Sequence, residues 1–195
     1  MLPSLLAGTI AAIVAAGAGG HPIAATKAHT GPATAAPTTA HAARTAHVAS
    51  ASNSMMADSI VVAKSSHTLT LFRAGQVIKT FRVALGRVPV GDKVRQGDHR
   101  TPEGLFYIDA RNPGSKYYKA LHISYPDAAH QERARELGVP AGGDVMIHGL
   151  PDRFKSYGES QADNDWTEGC IALSDQQMDE IWRDVPVGTP ILIKP

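Results

Sequence analysis

From residue 59 onward the chain alternates short apolar runs with polar turns, near the two-residue period of half-buried strands. Ser59–Ser65 (SIVVAKS) and His67–Phe72 (HTLTLF) read as strands with Val61, Leu69 and Leu71 on a buried face. Arg73–Gln76 is a turn in which Gly75 is free to take a positive φ, and Val77–Leu85 (VIKTFRVAL) returns as a third strand. Gly86–Arg100 is polar and glycine-rich, hence a long loop. Gly104–Ala110 (GLFYIDA), Ala120–Tyr125 (ALHISY), Val145–His148 (VMIH) and Pro190–Ile193 (PILI) complete the strands. Ala128–Leu137 predicts a helix stopped by Gly138 and Pro140. Ser174 and Gln177 have capping-box spacing, predicting a second helix over Asp175–Asp184 with Met178, Ile181 and Trp182 on one face. The pattern predicts a mainly β domain with two short helices and no internal repeat.

The amino end has no such pattern. Residues 1–57 hold 19 alanines, no aromatic residue, and only Lys27 and Arg44 as charges. Leu5–Ala18 is uncharged and apolar, long enough for a signal-peptide core but short of a spanning helix, so residues 1–20 read as a signal peptide or uncleaved anchor. Residues 21–57 are Ala, Thr, Pro, Ser and His without an apolar face, the composition of a disordered linker. Its unevenly spaced histidines, His21, His29, His41 and His47, are solvated linker residues rather than a metal tract. Export to the periplasm or cell wall is expected, with residues 58–195 as the one folded domain.

Charge excludes more than it suggests. The formal net charge is +1 and the folded part is nearly balanced, so the basic excess of a nucleic-acid-binding surface is missing. A monomer with no nucleic-acid partner and no spanning domain is expected.

Cys170 is the only cysteine. In an exported protein it cannot form an internal disulfide, so it is buried and inert, paired between molecules, or a nucleophile. Thr167-Glu168-Gly169-Cys170 sets the thiol after a glycine that permits close approach of a substrate carbonyl, with backbone N–H groups near Gly169 available as an oxyanion hole. A thiol needs a base or cation to ionise at neutral pH. His148 ends an apolar strand, and the backbone carbonyl of Gly149 is placed to hold its far ring nitrogen. Read alone, that histidine is a core residue more often than a base.

Ile147-His148-Gly149 followed by Trp166-Thr167-Glu168-Gly169-Cys170-Ile171-Ala172-Leu173 resembles the active-site signature of the YkuD-like L,D-transpeptidases. Gly91-Asp92-Lys93 and Gly97-Asp98-His99-Arg100-Thr101-Pro102-Glu103-Gly104 resemble a second stretch of that family, and Leu121–Pro126 is similar to the strand before its first helix. The WT-x-GCIA form looks most like the murein endopeptidase or lipoprotein-releasing branch. The resemblance implies a β-sandwich catalytic domain acting on peptidoglycan stem peptides, without metal or organic cofactor. It implies Cys170 as nucleophile, His148 as proton shuttle, and the Gly149 carbonyl as its orienting group. Thr167, Glu168, His122 and Tyr125 are the expected substrate contacts. The acceptor is an amine in a transpeptidase; Glu168 and Ala172 depart from the common pattern and leave water, hence a hydrolase, as the alternative.

Two rivals belong to other classes. A zinc peptidase would need ligands from His122, His130, Asp144, His148 and Cys170, none at a metal-binding spacing. A non-catalytic wall-binding module would suit a linker plus a small β domain, yet has no need of a Cys/His arrangement. His130 is expected on the solvent side of its helix, His122 toward the groove, Arg100 bracing its loop, Trp166 beneath the active turn, and Trp182 in the core.

Overall fold

The computed structural model describes residues 56–195; the expected signal segment and nearly all of the linker lie outside the described residues. Eight strands form: β1 (Ser59–Ala63), β2 (Thr68–Arg73), β3 (Gln76–Arg82), β4 (Gly104–Ser115), β5 (Tyr118–Ile123), β6 (Met146–His148), β7 (Ile171–Ala172) and β8 (Pro190–Lys194). Two α-helices, α1 (Ala128–Glu136) and α2 (Asp175–Asp184), and a 3-10 segment (Asp152–Asp163) complete the fold. The 3-10 segment is a third helical element that no apolar periodicity announces, and it fills the span between His148 and Cys170.

The strand order is β3-β2-β1-β8-β4-β5-β6-β7. β4 pairs with β8 through Gly104–Tyr107 and with β5 through Ile108–Ser115, where two register shifts bend it, so one strand serves two sheets. The chain after β3 then bridges Ala84 to Ala172 and Gly86 to Thr167, bringing the two ends of the strand order together. Apolar side chains from both sheets and α2 meet in one core that includes Leu69, Phe106, Ile123, Ile147, Met178 and Ile191. Burial of each aliphatic member contributes about 2 kcal/mol, which is what fixes strand register.

Leu69 and Leu71 face this core, but in β1 Ile60 and Val62 point inward and Val61 is only half-buried. The expected register of β1 is therefore off by one: Val61 sits opposite Thr70 on the outer face. Ala57 is already buried, its N–H donating to Asp184 O at 2.7 Å, so ordered structure starts before the expected boundary.

Both helices start where short polar side chains satisfy their first N–H groups. Ser174 Oγ accepts from Gln177 N (3.3 Å) while Ser174 N donates to Gln177 Oε1 (3.2 Å), completing the capping box. Asp127 caps α1 through His130 N at 2.9 Å. Met178 and Ile181 are fully buried, whereas Trp182 is partly covered, with the Arg111 guanidinium 4.0 Å above its ring. His130 is not on the solvent side. It is buried on α1, its Nδ1 2.6 Å from Asp127 Oδ1 and its Nε2 3.2 Å from Asp92 Oδ1, because the loop carrying Asp92 folds onto that face.

Candidate active site

β6 and β7 lie side by side and parallel, with Ile147 opposite Ile171 and His148 opposite Ala172. Leu173 N donates to His148 O at 2.9 Å and fixes the register. Cys170 lies two residues before Ala172, at the end of the turn that leads into β7. His148 and Cys170 both line one small cavity of about 130 Å³ together with Tyr117, Arg153, Trp166, Thr167 and Glu168.

His148 is 2% exposed. Tyr117 stacks on its ring at 4.5 Å and Trp166 meets it edge-on at 5.8 Å. Nδ1 lies 2.7 Å from Gly149 O. A carbonyl only accepts, so Nδ1 carries the proton and Nε2 is left with a lone pair. Burial drives the imidazole toward neutrality, down to about 4, and the Gly149 carbonyl offsets only part of that effect. At neutral pH the ring is an uncharged base of fixed tautomer.

Gly149 permits this packing because a β-carbon there would lie 2.7 Å from Asp175 Oδ1 and 3.1 Å from Tyr117 O. That carboxylate also accepts from Leu150 N at 2.8 Å, tying α2 to the strand end.

Cys170 is partly exposed, and its thiol points at Asp144 O, 3.6 Å away. Burial pushes the thiol up, opposed by the Met146 backbone and the Lys93 ammonium, while the Asp144 and Glu168 carboxylates push it slightly further up. Cysteine and histidine are thus both neutral at rest. Cys170 and Gly169 also line a cleft of about 770 Å³ whose charged residues are Lys93, Lys116, Asp144 and Glu168.

The turn before Cys170 is braced from inside. Thr167 is buried; its hydroxyl donates to Cys170 O (2.7 Å) and accepts from Gly169 N (3.1 Å). The Thr167 hydroxyl is thus committed to the turn, although the residue lines the small cavity, and the Gly169 N–H is spent inside the turn rather than aimed at an oxyanion. The Cys170 N–H remains as the turn's candidate donor. Gly169 itself has φ +127°, and a β-carbon there would sit 2.6 Å from Arg100 O, so only glycine fits.

Glu168 points into solvent and is paired with Arg87 and His99. Slight desolvation raises its carboxyl, but Arg87 and His99 outweigh it and hold the group below the usual carboxylate range. The acid next to Cys170 is thereby paired with its own neighbours.

Two other expected contacts are displaced. Tyr125 is buried, its hydroxyl donating to Ala141 O at 3.1 Å and its ring packed edge-on against Phe106 and His130; it is a core residue. His122 does face away from Leu121 and Ile123, but Nδ1 bonds Asp109 Oδ1 at 2.6 Å and Nε2 lies 4.0 Å from Asp144 Oδ1. It flanks the cleft through Asp144 and is not among the cleft-lining residues. The hypothetical zinc set does not converge, since His130 is held in the separate cluster with Asp92 and Asp127; among the described residues no three His, Cys, Asp or Glu side chains are grouped to hold a metal ion.

Tyr117 and Lys93 line the site without having been singled out by residue type, and Asp144, considered only as a metal ligand, lines the cleft instead. Tyr117 follows a Pro-Gly turn and looks like a hairpin aromatic; Asp144 takes a positive φ of 54°, which no local pattern announces. Lys93 alone had a signal, its place in the Gly-Asp-Lys stretch.

The family model of the YkuD L,D-transpeptidase catalytic domain matches residues 57–193. YafK of Escherichia coli (strain K12) is 32% identical over 133 residues, 65% of this chain and 46% of YafK. YqjB of Bacillus subtilis (strain 168) is 28% identical over 139 residues, 69% of each chain. The chain spans about half the length of YafK. Among solved structures, a variant of the helical cell shape determining protein Pgp2 from Campylobacter jejuni superposes with a TM-score of 0.54 at 23% identity, covering 71% of this chain and 47% of that one. That likeness is one of fold.

Proposed function

Because the chain belongs to the YkuD L,D-transpeptidase catalytic-domain family, we propose that it transfers acyl groups of peptidoglycan stem peptides through a thioester on Cys170. The observation that carries this is the His148 geometry: Nδ1 is pinned to Gly149 O, leaving a bare Nε2 in the cavity that Cys170 also lines.

The reaction begins with two neutral groups. As the sulfur attacks the carbonyl carbon of the third stem residue, its proton passes to His148 Nε2. The carbonyl oxygen becomes an oxyanion, for which the Cys170 N–H is the nearest candidate donor. Collapse breaks the peptide bond; the terminal D-alanine leaves with the proton from Nε2, and a thioester remains. A neighbouring stem amine then gives up a proton to Nε2, attacks the thioester, and returns the sulfur as a thiol. Two modest barriers replace one high barrier.

Export to the peptidoglycan compartment is part of the same reading. Among the described residues no helix is long and apolar enough to cross a membrane.

The test is incubation with purified tetrapeptide muropeptides, followed by mass analysis of products and intact protein. Cross-linked dimers and a tripeptide adduct on Cys170 support transpeptidation, and Cys170→Ala should give neither. Tripeptides without dimers would assign the acceptor to water. Unchanged muropeptides with unmodified protein would overturn the reading.

A further inference from the structure

The acyl-transfer reading leaves the Gly-Asp-Lys stretch without a task, yet that stretch sends a lysine under the catalytic turn. Lys93 is 4% exposed. Its Nζ lies 3.7 Å from where a β-carbon on Gly169 would be, and it lines the large cleft together with Gly169 and Cys170. An ammonium has three N–H donors. One goes to Asp98 Oδ1 at 2.8 Å and one to Arg95 O at 3.2 Å, which leaves the third without a partner in the loop.

Asp98 does not simply cancel that charge. Its carboxylate also accepts from Val94 N (2.7 Å), Arg95 N (3.0 Å) and Arg100 N (3.1 Å). Burial works against this anion, yet Lys93 and the three backbone donors hold it down at about 2. Its charge is spread over the loop backbone, and the ammonium end of the pair is the end beside the turn. Burying two charges contributes little to stability compared with apolar residues of similar size. The pair therefore needs a reason at the place where the ammonium lies.

We propose that Lys93 supplies the positive charge that stabilises the Cys170 sulfur anion as its proton leaves. It is a positioning residue acting through the sulfur, and the proposal rests on Cys170 being the nucleophile. The other charged groups facing the cleft are differently occupied: Glu168 is neutralised by Arg87 and His99, the Asp144 carboxylate is 92% exposed and turned to His122, and Lys116 lies 5.3 Å over the Tyr117 ring. His148 is uncharged at rest. Lys93 alone combines burial, charge and proximity to the turn.

Cys170 is the only cysteine, so iodoacetamide alkylation followed by intact mass reports its ionisation directly. The rate is measured against pH for wild type, Lys93→Gln, Lys93→Arg and the double variant Lys93→Met/Asp98→Asn, which removes both charges together. Thermal melting establishes that each variant is folded. Both neutral variants should shift the rate profile toward alkaline pH by about one unit, about tenfold slower at pH 7, while Lys93→Arg stays within about twofold of wild type. Folded neutral variants whose profiles overlay wild type would overturn the proposal. The assay uses no stem peptide, so its outcome is separate from that of the muropeptide experiment.

Discussion

Two histidines of this domain are buried alike but bonded in opposite ways. His148 sits between Tyr117 and Trp166 with a backbone carbonyl on Nδ1 and nothing on Nε2. His130 packs against Phe106 and Tyr125, and both of its ring nitrogens face carboxylates, Asp127 and Asp92. Asp92 is further held by Arg133 at 2.6 Å and by Glu103 N at 2.8 Å, so the His130 cluster pins the Asp92 loop to α1. Burial is common to both residues. What separates them is what bonds the ring: only the Gly149 carbonyl at His148, two carboxylates at His130.

The widest separation between them should appear in turnover. His148→Gln is expected to lower kcat/KM for D-alanine release about 10³-fold, the range of a lost general base, with the fold intact by far-UV circular dichroism. A loss under tenfold would remove His148 from the chemistry. The pH dependence follows from the same burial. Activity should hold from neutrality down to about pH 4 and then fall about tenfold per unit as Nε2 is protonated, measured as initial rates in overlapping buffers.

Stability should carry its own trace of the neutral ring. An unfolded histidine titrates near 6.5, whereas folded His148 does so at about 4, so between these values only the unfolded chain binds the proton. Stability is then full above pH 6.5, declines as pH falls to 4, and levels off below; the loss is about 3 kcal/mol. Urea unfolding of wild type and His148→Gln across this window should show the decline in wild type alone.

His130→Gln reverses the pattern. It breaks two charge-assisted contacts, so a stability loss of about 1–3 kcal/mol is expected with kcat/KM within about twofold of wild type. A variant that kept its melting temperature and lost activity would make His130 functional. The smallest effect belongs to Glu168→Gln. The carboxylate is exposed and compensated by Arg87 and His99, so kcat/KM should change by less than about threefold and stability by less than about 0.5 kcal/mol.

Seven of the eight strands and both helices were legible because each rests on local pattern, two-residue alternation or the Ser174/Gln177 capping box. β7, only two residues long, was too short to show a period, and the joint reading of Cys170 with His148 came from the resemblance rather than from local pattern. The single-residue error in β1 arose where SIVVA offers apolar side chains to both faces and alternation does not choose between them. Tyr125 and Thr167 misled for another reason. A hydroxyl near a motif looks available until its backbone acceptor is known, and those acceptors are Ala141 O and Cys170 O. His130 could not be read from its helix because its second acid, Asp92, comes from 38 residues earlier. The 3-10 segment escaped notice since it is anchored by single contacts, such as Gln161 bridging Trp166 Nε1 and Ala172 O, and not by an apolar stripe.

The neutrality of His148 is the claim on which the mechanism turns, and nitrogen-15 NMR of histidine-labelled protein reads it directly. At pH 7 one histidine should show a protonated Nδ1 and a bare Nε2, unchanged down to about pH 5 and lost in His148→Gln. A doubly protonated ring at that position at pH 7, signalling an imidazolium beside a thiolate, would contradict it.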